Sequence, residues 1–247
     1  MTTRQGVQGL LVLGLAYLLV RVFWMASAVA GPAFNSATLE STAKIVIWGC
    51  GCLPVALWLA RDRTAAALGL DARIDRGLAF GLVATLPMAA ALLLIPHSRP
   101  FSPDLALGSA LLGPFAEELL FRGFLFGLLW RIAGWPPSAA IAMSALLFGG
   151  AHQMEVFPMI AGGVVLGWVA YRWNSLWPAV AMHGCMNLWW DLSLGNSLAR
   201  APVNPDLMST AQVISVALAV GMTLRCTASS ASGTSGARTG LTLANDP

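Results

Sequence analysis

Three short polar patterns interrupt an otherwise apolar chain: Glu117-Glu118-x-x-x-Arg122, Phe148-x-x-x-His152 and His183-x-x-x-Asn187. Ionisable groups at membrane depth are costly, so by default they mark a functional site whose members partner one another. Two carboxylates, an arginine, two histidines and an amide make up a hydrolytic constellation. An intramembrane enzyme is therefore the leading expectation.

Within the first pattern Glu118 and Arg122 are one helical turn apart and share a face. Glu117 points about 100° away, toward the face that carries Phe121. An internal Glu118–Arg122 pair would leave Glu117 free to act, and three ionisable groups in six residues exceed what one structural pair requires. Pro114, just upstream, removes a backbone hydrogen bond and can open a wet kink beside the carboxylates. Phe148 and His152 lie on one face with Gly149, Gly150 and Ala151 between them, small enough for close approach of another helix or a substrate. His183 and Asn187 also share a face, beside Gly184. Each histidine alone reads equally well as interhelical glue; three polar faces on three apolar segments favour a site.

The elements that must position these residues are apolar helices. The chain has 247 residues, 57% hydrophobic and 10% charged, with mean hydropathy +0.72. A soluble domain carries about a quarter charged residues. The apolar residues come in blocks rather than in alternation, which predicts an all-α polytopic membrane protein and disfavours a β-barrel. Eight segments are expected to cross, over 6–30, 44–60, 77–96, 105–130, 138–157, 158–172, 175–191 and 208–225. They form one membrane domain over 1–225, with the polar patterns inside 113–187. The stretch 226–247, rich in Ser, Thr, Gly and Ala, reads as a disordered cytoplasmic tail. Arg4 and the small residues before Gly31 resemble a signal peptide. Arg21, Phe23 and Trp24 lengthen the segment, and a retained helix is the better reading.

Arg4, Arg61, Arg63, Arg73, Arg76, Arg131, Arg172, Arg225 and Arg238 fall on one side of this topology, against Lys44, Arg99 and Arg200 on the other. The bias predicts a plasma (inner) membrane protein with both termini cytoplasmic. No basic stripe suggests nucleic acid. Gly123-x-x-x-Gly127 and Gly163-x-x-x-Gly167 predict close helix packing. Trp173, Trp177, Trp189 and Trp190 fit interfacial positions. Cys50, Cys52, Cys185 and Cys226 lack metal or redox spacing and read as packing residues. His97 reads as a loop histidine.

The run Gly113-Pro114-Phe115-Ala116-Glu117-Glu118-Leu119-Leu120-Phe121-Arg122-Gly123 resembles the first motif of the CAAX-protease and bacteriocin-processing (CPBP, or ABI) family. Residues 145–152, ending Phe148-Gly149-Gly150-Ala151-His152, resemble its second motif, and residues 174–187, with His183 and Asn187, its third. The resemblance implies an eight-helix glutamate-type intramembrane endopeptidase. It maps functional roles onto Glu117, His152, His183 and Asn187, with Glu118 and Arg122 supporting. It also implies a membrane-associated protein or peptide substrate: a CAAX-type tail, a leader peptide or a C-terminal sorting signal.

Peptide hydrolysis needs an activated water, a protonated leaving amine and donors for the oxyanion. Glu117 fits as base with His152 holding the water, and His183 and Asn187 fit as donors. No cofactor is required. A zinc version would use Glu117, His152 and His183 as ligands, but no H-E-x-x-H pattern is present. A third reading is a non-catalytic immunity or scaffold protein.

Overall fold

The computed structural model describes residues 2–30, 36–70, 74–94, 102–152, 156–197 and 205–233, and these contain helix and no strand. In chain order the helices are α1 (Thr3–Ala30), α2 (Ala37–Ala60), α3 (Thr64–Leu68), α4 (Ile74–Ala84), α5 (Leu86–Leu93) and α6 (Pro103–Leu105). They continue with α7 (Gly113–Glu118), α8 (Gly127–Arg131), α9 (Pro137–Ala151), α10 (Val156–Trp173), α11 (Trp177–Ser197) and α12 (Pro205–Gly233). Two π-helical stretches, Ala106–Leu112 and Leu119–Phe126, join α6, α7 and α8 into one helical run.

Local chemistry sets the ends. Ser36 caps α2 by accepting from the Leu39 amide. Gly69 ends α3 in the left-handed region at φ 73°, where a side chain would be strained. α4 and α5 meet at Thr85 with a 46° bend, and Pro87 follows in the first turn of α5.

Contacts fix the directions. α1 and α2 are antiparallel, with Phe23 packed on Trp48 and the Leu19 carbonyl accepting from Trp48 Nε1 at 3.2 Å. The α6–α8 run lies parallel to α2: Asp104 meets Ser36–Thr38, Ser41 meets the Gly108 carbonyl, Lys44 meets Glu117, and Trp48 meets Phe121. α9 returns along the run, placing Ser144 on the Phe121 carbonyl and Phe148 on the Phe121 ring. α10 reverses again, with Gly163 against Ala145 and Gly167 against Ile141. α11 runs parallel to α4, Trp177 beside Gly77 and Ala181 beside Gly81. α12 comes back to set Thr223 on Trp173.

Polarity is inverted relative to a soluble protein. Glu118 and Arg122 are 0% and 1% exposed, while Leu10, Leu93, Phe157 and Val213 face outward. Such an apolar exterior around a charged centre suits lipid. Among the described residues four helices are long and apolar enough to cross a membrane, within Thr3–Val29, Ala37–Leu68, Val156–Trp173 and Asp206–Arg225, and the bent α4–α5 pair is a fifth if it counts as one span. The expected count of eight is not confirmed. The α6–α8 run and α11 carry the charged and polar residues that lower their apolarity, and α9 has only 15 residues.

Three further expectations change. α2 begins at Ala37 rather than at 44, so Lys44 lies inside a helix and not in a loop. His152 is not inside a span but caps the end of α9, at φ −104° and ψ 83°. The last helix continues to Gly233, past the expected boundary at 225. His97, Arg99, Arg200, Arg238 and the remainder of the expected tail lie outside the described residues, as does the side chain of Cys226.

Both small-residue patterns act in packing. A Cβ on Gly127 would stand 2.3 Å from the Ala67 carbonyl, and one on Gly163 would stand 3.0 Å from Ala145 Cα. Trp173, Trp177 and Trp189 donate to Thr223, the Leu70 carbonyl and Thr85, tying neighbouring helices. Cys52 is buried in the core, Cys185 is half-buried and Cys50 is exposed.

Candidate active site

The backbone around Pro114 explains how α11 docks. The Gly113 amide bonds to the Gly108 carbonyl, a π-type step, so it does not serve Ser109. The next amide would be that of Pro114, which has none. The Ser109 carbonyl therefore lacks a helical donor, and Asn187 Nδ2 supplies one at 3.2 Å. One turn further along α11, Asp191 accepts from the Ser109 hydroxyl. Gly184 makes this approach possible, since a Cβ there would stand 2.2 Å from the Ala110 carbonyl. The expected kink at Pro114 is thus a widened helix whose freed carbonyl is read by the facing helix.

Deeper in the bundle, Glu118 and Arg122 form the expected pair, Nη1 to Oε1 at 2.8 Å. The same Oε1 accepts from His183 Nδ1 at 2.8 Å. Arg122 also donates from Nη2 to the Gly163 carbonyl at 3.3 Å and lies 4.3 Å from the Phe148 ring centroid. Phe148 is the hub of the site. Its ring contacts Phe121 at 5.2 Å, His152 at 4.6 Å and His183 at 5.9 Å between centroids.

Glu117 faces the other way, as its position on the helix dictates. Its Oε2 is 3.9 Å from His152 Nε2 and 3.8 Å from His183 Nε2. These gaps exceed direct hydrogen-bond length. His152 Nδ1 lies 2.8 Å from the Phe148 carbonyl. A carbonyl only accepts, so Nδ1 carries the proton and Nε2 of the neutral ring is an acceptor. A water beside Oε2 and His152 Nε2, off the line that joins them, would donate to both and turn its lone pair outward.

The structure brings Glu117, His152 and His183 together, and joins Glu118, Arg122 and Phe148 to them. It does not bring Asn187 onto the carboxylates; its contact is with Ser109.

Sequence reasoning missed Lys44. Its Nζ is 2.9 Å from Glu117 Oε1 and 3.2 Å from Glu40 Oε1. The available signal was Glu40-x-x-x-Lys44, an i,i+4 pair leading into an apolar run. A cavity of about 240 Å³ opens beside these groups, lined in part by Phe23, Trp24, Trp48 and Phe121. Among the described residues no three His, Cys, Asp or Glu side chains are disposed to hold a metal ion.

A helical bundle with an apolar exterior around a buried carboxylate–histidine cluster is the architecture of a multi-pass membrane protein. Residues 100–189 match the family described as type II CAAX prenyl endopeptidase Rce1-like, and over that stretch the chain is similar to this family of proteases. The matched stretch contains all three polar patterns. No curated protein and no solved structure matches the chain.

Proposed function

We propose that this protein is a metal-independent, glutamate-type intramembrane endopeptidase. The observation that carries the reading is Glu117 Oε2 standing between the Nε2 atoms of His152 and His183, at 3.9 and 3.8 Å. Glu117 takes a proton from the water held with His152, and the hydroxide oxygen attacks the scissile carbonyl. His183 and the second N–H of the Asn187 amide donate to the oxyanion. Glu117 then gives its proton to the leaving amine as the C–N bond breaks. Glu118 and Arg122 hold His183 in place. The ammonium of Lys44 holds the other carboxylate oxygen, Glu117 Oε1, at 2.9 Å.

The substrate is a membrane-associated protein or peptide. Lys44 lies seven residues from the start of α2 and Ala60 sixteen beyond it, roughly 10 Å and 24 Å along the axis. The cluster therefore sits in the half of the bundle remote from the chain's N-terminus. Arg4, Arg61, Arg63, Arg76, Arg131, Arg172 and Arg225 lie toward the other end, which by the positive-inside rule is cytoplasmic, together with both termini. In the plasma membrane the cavity would open toward the extracytoplasmic leaflet. That supports trimming of a membrane-anchored C-terminal signal on an exported protein over a cytosolic prenylated tail.

Comparison of membrane and secreted proteomes from cells carrying the native chain or Glu117→Gln tests this. Uncut precursors should accumulate in the variant. Their absence, with biological function retained, would favour the scaffold reading.

A further inference from the structure

We propose that Lys44 is a positioning residue for Glu117: it occupies Oε1 and so leaves Oε2 as the oxygen that exchanges the proton. The proposal rests on Glu117 being the base, as argued above.

The two carboxylate oxygens have different surroundings. Oε1 receives the Lys44 ammonium at 2.9 Å, and Oε2 faces the two imidazoles at 3.9 and 3.8 Å, beyond direct hydrogen-bond length. A carboxylate without such an anchor rotates about its last torsion, which is broad. Lys44 is itself held. Glu40, one turn earlier on α2, binds Nζ at 3.2 Å, and the Phe23 ring centroid lies 5.4 Å away. The lysine side chain is 16% exposed.

Helix packing does not explain a cation here. α2 meets the α6–α8 run through the neutral Ser41 and Trp48 on either side of Lys44. Arg122 is already paired with Glu118, and Lys44 is shared between Glu117 and the more exposed Glu40. A lysine placed at this depth, where charge is disfavoured, meets the buried Glu117 through one oxygen only, with the exposed Glu40 on its other side. Lys44 exchanges no proton in the reaction; it fixes where the exchange occurs.

The test begins with the precursors that accumulate in Glu117→Gln cells. A peptide spanning one cleavage site is then presented to the purified full chain in lipid nanodiscs. Lys44→Met should lower kcat about 100-fold, the scale of a misplaced reacting group. KM should stay within about twofold, because the lost interaction serves the transition state. Lys44→Arg, which can still hold Oε1, should recover to within about tenfold of the native kcat.

A folded Lys44→Met with kcat near the native value overturns the proposal, as does a folded Lys44→Arg no better than Lys44→Met. If Lys44→Met fails to accumulate, Lys44→Gln takes its place with the same expected split. Failure of both neutral variants to fold assigns Lys44 to structure alone and overturns the positioning role. Continued cleavage in Glu117→Gln instead removes the base reading itself, an outcome distinct from an active Lys44→Met beside an inactive Glu117→Gln.

Discussion

Arg122→Met removes a cation from the most enclosed point of the bundle, and the consequence follows from what Glu118 would be left with. Glu118 is fully buried, and its Oε2 has no hydrogen-bond partner among the described residues. Its charge is therefore balanced through Oε1, which Arg122 and His183 share at 2.8 Å each. The methionine also abandons the Gly163 carbonyl and the face of Phe148. Breaking a buried pair by deleting one partner costs about 3–5 kcal/mol. That is a factor of roughly 10² to 10³·⁷ in the folding equilibrium, a large share of a typical stability of about 5–15 kcal/mol. Folded yield and detergent melting temperature should both fall, and turnover with them. Removing both charges should be milder: Glu118→Leu with Arg122→Met should melt above Arg122→Met alone, because no uncompensated charge remains. Melting curves and turnover rates on the same preparations test this. Native-like melting of Arg122→Met would refute the reasoning. Lost turnover at full thermal stability would place Arg122 in the chemistry instead.

Four other outcomes follow from the site. His152→Ala and His183→Ala should each abolish cleavage, with losses strongly non-additive when combined; near-native turnover in either purified variant removes that residue from the mechanism. Asn187→Ala should lose about 10²–10³-fold in kcat, the usual effect of deleting one oxyanion donor, together with some melting temperature because the Ser109 carbonyl is orphaned. Asp104, at the exposed end of α6, is held below the usual carboxylate range by hydrogen bonds from Ser36 and Thr38. Its tie to α2 is thus complete above the ordinary aspartate range and weakens as pH falls through the lowered value; pH-dependent exchange at Ala37 and Thr38 should show this, and Asp104→Asn should flatten it. With native cysteines replaced, Glu40→Cys should react with an impermeant thiol reagent in intact cells and Thr3→Cys only after permeabilisation; the reverse pattern would return the cytosolic-tail substrate to first place.

The sequence made the site legible where it depends on spacing along one helix. Glu118 and Arg122 pair as their i,i+4 separation requires, and Glu117 turns toward Phe121 as its 100° offset requires. His152 and His183 stand 3.9 and 3.8 Å from Glu117 Oε2. Contacts between helices were not legible. Lys44 sits 73 residues before Glu117, and nothing in the local pattern of α2 says which helix it faces. Nor could spacing reveal that Pro114 frees the Ser109 carbonyl for Asn187, since that depends on a π-type register in the backbone. The count of eight spans is not confirmed, because the helices that carry the chemistry hold charged and polar residues that lower their apolarity.

Single-turnover cleavage of a purified precursor, by the native chain and by Glu117→Gln in nanodiscs after exhaustive chelation, tests the mechanism most directly. The native chain should cleave at an undiminished rate without metal, and the folded variant should give no detectable product. Cleavage by Glu117→Gln near the native rate, or loss of native activity restored by added zinc, would contradict a glutamate-based, metal-independent hydrolysis.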